Sequence, residues 1–139
     1  MNANLIKTDI AEIELVLQRV LQQERQIGVY GMSSGDRYGK PQELIKYLKE
    51  IAICRQWLGY ASFRKTVNTR HTSYRYKHLV EDWANTYIPN GAFIVAGISL
   101  DIPYKRVRFD SPNAYFAISE KCLVREASGR RTLKALLAA

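Results

Sequence analysis

Cysteine is scarce in this chain, with Cys54 and Cys122 the only two among 139 residues. Two thiols so far apart give neither a disulfide framework nor a CxxC metal or redox pair, so buried free thiols in a reducing compartment are expected. Histidine is equally sparse. His71 and His78 stand seven apart, a spacing that does not put both on one helical face, and no HExxH pattern or second carboxylate-histidine pair accompanies them. Neither a metal nor a cofactor is therefore expected. Long apolar runs are missing too. No uncharged stretch approaches the ~18 residues of a membrane span, and the opening MNANLIKTD lacks the basic and apolar regions of a signal peptide. The expectation is a cytoplasmic protein with no membrane partner. Ser33, Ser34 and Ser73 have no GxSxG context, and Cys54 has no flanking signature of a catalytic thiol. The reading is of a protein that is not an enzyme.

What is present suits one globular domain over residues 1–139, since 47% of residues are apolar and 24% charged. A chain this long buries about two-thirds of its unfolded surface, enough for a core without staples. Apolar residues at three and four, from Ile10 through Ile13, Leu17 and Val20, predict a helix over 8–27 whose stripe packs on its own domain, with a homodimer seam as the alternative. Four glycines fall within 28–40 and predict a flexible Gly-rich loop. Its Gly39-Lys40 pair is not a phosphate-binding loop, because Pro41 stands where Ser or Thr should hold Mg²⁺. A second helix over 41–58 begins with Pro41 and stops near Gly59.

Thr72 or Ser73 caps a third helix over 73–87, with Tyr76, Leu79, Val80, Trp83 and Tyr87 inward and Arg75, Lys77, His78, Glu81 and Asp82 toward water. The uncharged GAFIVAGISL reads as a buried helix over 91–101 with Asn90 as its cap, a buried strand being the alternative. Residues 104–118 read as a possible small hairpin around Asp110-Ser111-Pro112-Asn113, against a rival helix capped by Ser111. A short helix over 130–138 closes the chain. The fold class is α+β, mainly α: a compact helical domain with a helix-turn-helix-like core and a possible small β-hairpin.

Charge is the most informative feature. The chain carries 21 bases against 13 acids, a net +8, which makes polyanions or acidic protein surfaces the expected partners. Residues 1–50 are balanced, whereas 51–80 hold Arg55, Arg64, Lys65, Arg70, Arg75 and Lys77 and not one acid. Trp57, Tyr60, Phe63, Tyr74 and Tyr76 alternate with those bases, and such interleaving suits phosphate pairing combined with base stacking, although Trp57, Phe63 and Tyr76 could equally be core. Because GAFIVAGISL has almost no polar side chain to offer base edges, it cannot serve as a recognition helix. Contacts would come from Arg64, Lys65, Arg70, Arg75, Lys77 and Tyr74, with Arg106, Arg108, Arg130 and Arg131 as a second tier.

The segments SYRYKHLVE at 73–81, YIPNGAFIVAG at 87–97 and PNAYFAIS at 112–119 resemble small uncharacterised proteins of bacterial plasmids, integrative elements and phages. Matching positions include Tyr74, Lys77, His78, Glu81, Asn90, Gly91, Phe93, Asn113 and Phe116, while Arg75-Tyr76 departs from a more usual Gly-Leu pair. The resemblance implies a mobile-element setting and no particular activity. The functional expectation is a non-catalytic nucleic-acid-binding accessory or regulatory protein, with DNA ahead of RNA. The alternative is a protein-interaction module or inhibitor that docks its basic surface on an acidic or nucleic-acid-binding partner.

Overall fold

Helix α1 (Ala3–Gln23) forms where the three-and-four spacing requires it, and it buries Ile13, Leu17 and Val20. The structure, a computed structural model, describes residues 3–33 and 35–120. The expected helix over 8–27 ends four residues early. Past Gln23 the Glu24 carboxylate accepts the Gln26 N–H at 3.4 Å and the Tyr104 hydroxyl at 3.2 Å, which draws the chain out of the helix. Ile27 then enters the core as a strand residue. Strand β1 (Ile27–Gly28) pairs antiparallel with β2 (Gly31–Met32), so the segment expected to be a flexible loop begins with a buried hairpin. Gly31 sits at φ 136°, a conformation side chains disfavour, which explains a glycine there.

Pro41 opens the next element as expected, but Pro41–Tyr47 is a 3-10 helix and only Leu48–Leu58 (α2) is α-helical. The seam is Tyr47, whose φ of −120° leaves the helical region. Strand β3 (Phe63–Asn68) was not legible in the sequence. Helix α3 (Ser73–Ala84) begins where Thr72 Oγ1 accepts the Tyr74 N–H at 3.3 Å. It ends at Asn85 in the left-handed conformation, short of the expected 87, and Tyr87 therefore points outward, not inward. GAFIVAGISL is helical: α4 (Asn90–Ser99) has all ten residues buried. Pro89, not Asn90, occupies its N-cap. The expected hairpin forms as β4 (Tyr104–Arg106) and β5 (Ala114–Ile118), in register Tyr104 opposite Phe116 and Arg106 opposite Ala114.

The protein is thus α+β and mainly helical, with four α-helices and five short strands among the described residues. The α4 helix is its centre, packed by α2, α1 and α3 and met at its N-terminus by the β1–β2 hairpin. That meeting needs Gly91. Its N–H donates to the Val29 carbonyl at 2.8 Å, and a Cβ there would run into the Gly28 carbonyl oxygen. Phe93 joins the layers by edge contacts with Trp57 and Phe116 and a tilted contact with Tyr76. The larger sheet has the order β3-β5-β4, with the Ala114 N–H of its middle strand donating to Ser73 Oγ of α3 at 3.1 Å. Ile13, Leu17 and Val20 of the α1 stripe lie in this core with Ile10 half-buried, while Leu15 on the same helix is exposed. Among the described residues no helix is long and apolar enough to cross a membrane. The helix expected over 130–138, with Arg130 and Arg131, lies outside the described residues, as does Cys122.

Candidate nucleic-acid interface

Strand β3 is tied to β5 at two points only, Phe63 opposite Ile118 and Asn68 opposite Phe116. Five steps on β3 thus face two on β5, and residues 64–67 bow away from the ladder. Asn68 closes the lower end by donating from Nδ2 to the Ile118 carbonyl at 3.0 Å, and its Oδ1 accepts the Arg70 N–H at 3.0 Å. At the upper end the Ser119 N–H donates to the Ser62 carbonyl at 2.8 Å. The bow leaves Arg64, Lys65 and Thr66 exposed beside Phe63, which is 48% exposed.

The structure divides the central bases. Arg64, Lys65, Arg70 and Arg75 are exposed. Burial and the Glu120 carboxylate push the Tyr76 phenol well above its ordinary pKa, while the charges of Arg75 and Arg64 pull it partly back. Arg64 stands on β3 and Arg75 in the first turn of α3. One acid stands among them: Glu120 accepts the Tyr76 hydroxyl at 3.1 Å and lies 3.9 Å from His71 Nε2. Arg55 is half-buried on α2.

Lys77 leaves the group altogether. Expected toward water, it is only 7% exposed, with its Nζ 3.3 Å from Glu81 and 5.2 Å from the ring centres of both Tyr74 and Tyr87. Glu81 also takes the Ile88 N–H at 3.0 Å and lies 2.8 Å from His78 Nδ1. Partial burial pushes the Glu81 carboxyl up, but the Ile88 N–H, Lys77 and His78 together hold it below its usual pKa. The two histidines sit at opposite ends of such contacts, one with Glu120 and one with Glu81, and no group of three metal-ligating side chains occurs among the described residues.

The second tier divides as well. Arg106 is engaged with the Gln26 side chain at 3.0 Å and the Phe109 carbonyl at 2.7 Å, holding the β4–β5 loop in shape. Arg108 is exposed and paired with Asp110 at 3.2 Å. Of the interleaved aromatics, Trp57 and Tyr76 are core, whereas Tyr60, Phe63 and Tyr74 reach solvent.

Sequence reasoning missed an open cleft of about 470 Å³ beside α3, lined by Tyr30, Tyr38, Tyr74, Tyr87, Lys77 and Asn113, among others. Asn90 forms its floor, donating from Nδ2 to Asn113 Oδ1 at 3.0 Å and to the Pro112 and Tyr30 carbonyls. Arg37 stacks over the Tyr38 ring at 5.4 Å. The tyrosines come from three separate segments, so no local spacing announces them. No family model matches the chain, and no curated protein or solved structure matches it either.

Proposed function

We propose that this protein is a non-catalytic nucleic-acid-binding protein that uses the bowed β3 strand and the start of α3 as its contact face. The observation that carries this is the outward bow, which exposes Arg64 and Lys65 next to an exposed phenylalanine. Guanidinium and ammonium groups pair with phosphates, and a half-exposed aromatic ring offers a stacking face that any base can use. Arg70 and Arg75 extend the basic surface to the first turns of α3. The α4 helix takes no part, since it is wholly interior. An accessory or regulatory role in a mobile element, with DNA ahead of RNA, is what the resemblance and the basic composition support.

The second reading is a protein-interaction module or inhibitor that docks the same basic surface on an acidic or nucleic-acid-binding partner, since a bulged, charged edge resists pairing by strand addition and leaves its charges for such a partner. The test is titration of labelled duplex and single-stranded oligonucleotides at ~50 mM salt, where electrostatic binding is strong. Changing Arg64 and Lys65 together to Ala should weaken binding to unrelated sequences alike, as loss of phosphate contacts does. Absence of binding to every nucleic acid, with a folded parent, would assign the basic face to a protein partner.

A further inference from the structure

We infer that the tyrosine-lined cleft beside α3 is a binding site for a single unstacked nucleobase. Four phenol rings from Tyr30, Tyr38, Tyr74 and Tyr87 surround a space of about 470 Å³, within the range of small-molecule sites and roomy for one base with its sugar. The charge state selects the ligand. Lys77 already lies against the Tyr74 and Tyr87 rings and is paired with Glu81, so a cationic ligand would meet an ammonium group and an anionic one would find that ammonium engaged. A purely apolar ligand would strand the phenol hydroxyls. What fits is a flat, neutral ring with a hydrogen-bonding edge.

The walls supply such an edge with partners. Asn113 lines the cleft and its Oδ1 accepts from Asn90, so the amide N–H groups are the part of this side chain able to serve a ring acceptor. Burial and neighbouring phenols and Glu81 raise the pKa of the Tyr87 phenol, so its hydroxyl stays protonated and able to donate. The exposed Arg37 guanidinium lies over the ring of Tyr38, a wall residue of the cleft, and is the cation available to a phosphate attached to the bound base. Tyr74, a wall residue of the cleft, sits in the capped first turn of α3, which follows the exposed Arg70 closely in the chain.

A base could come from a strand or from a free nucleotide, and only the strand source rests on the proposed function. The full chain is titrated with two labelled single strands of equal length, one complete and one carrying abasic sites, and separately with adenosine monophosphate. The complete strand should bind about 5- to 150-fold tighter than the abasic one, the range expected for stacking a base on aromatic rings. Tyr87→Ala should abolish most of that ratio and Tyr87→Phe should keep the larger, stacking part of it while losing the share of the hydroxyl, whereas Lys65→Ala should weaken both strands equally. Tyr87 is 53% exposed, and both variants are first shown to melt like the parent. Equal binding of the two strands would overturn the base site and leave the nucleic-acid reading standing. Binding of adenosine monophosphate with shifted Tyr87 resonances, but of neither strand, would uphold the base site and overturn the strand. Binding of neither would overturn both.

Discussion

Lys77 shows how one residue can look the same in a sequence and behave differently in a fold. Lys77 and Glu81 are spaced like any solvated helix pair, worth a few tenths of a kcal/mol on a surface, roughly 0.2–0.5. The lysine lies against the rings of Tyr74 and of Tyr87, three residues past the helix end, the latter placed there as Asn85 turns left-handed and Glu81 captures the Ile88 N–H. No periodicity encodes that placement. Because the Glu81 carboxyl is held below its ordinary pKa, its stabilising contribution is present above the unfolded carboxylate value of about 4.3 and is lost as pH falls through the folded one. Melting temperatures should therefore show a steeper acid limb in the parent than in Glu81→Gln, which should also be the less stable at neutral pH. Parallel acid limbs would mean that Glu81 is not held by these partners. Gly91 makes a second residue-scale case: Gly91→Ala must push the Gly28 carbonyl away. Overpacking of this kind costs about 1–3 kcal/mol, and denaturant unfolding should register it.

Among elements, those that follow from a 3.6-residue period were legible and those that follow from distant partners were not. Helix α1 was readable because its apolar spacing leaves Ile13, Leu17 and Val20 on one side, and Leu17 is 3% exposed. Leu17→Ala should accordingly cost about 2–5 kcal/mol of unfolding free energy. A loss below ~0.5 kcal/mol, within the range of surface substitutions, would put that stripe outside the core. The hairpin of β4 and β5 was readable from its turn residues. Strand β3 was not, since its residues are mainly polar and exposed and it is held at two points, so it carries no alternation. The glycine-rich segment misled for a related reason. Glycine signals a loop locally, but here Gly31 and Gly91 permit a close approach between the β1–β2 hairpin and α4. Nor does composition distinguish the 3-10 turns of Pro41–Tyr47 from the α-helix that follows.

At the scale of the molecule, the acid-free block over 51–80 was visible as a count, whereas its division in space was not. Of its six bases, Lys77 is buried with Glu81 and Arg55 is half-buried on α2, while Arg64, Lys65, Arg70 and Arg75 remain exposed around β3 and α3. The candidate interface was thus half readable: the strand's bases and Tyr74 came from sequence, and the tyrosine cleft with Arg37 came only from the fold. Four exposed bases set a quantitative expectation through counterion release. The log–log slope of affinity against salt should be near −3 to −4, with a single strand at the shallow end and a duplex at the steep end. The most direct test is this slope, measured for the parent and for a variant with Arg64, Lys65 and Arg70 all changed to Ala and shown to melt like the parent. The account predicts that the slope falls by about two to three in the variant and that affinity drops across unrelated sequences. An unchanged slope, or a parent that binds no nucleic acid at ~50 mM salt, would contradict it.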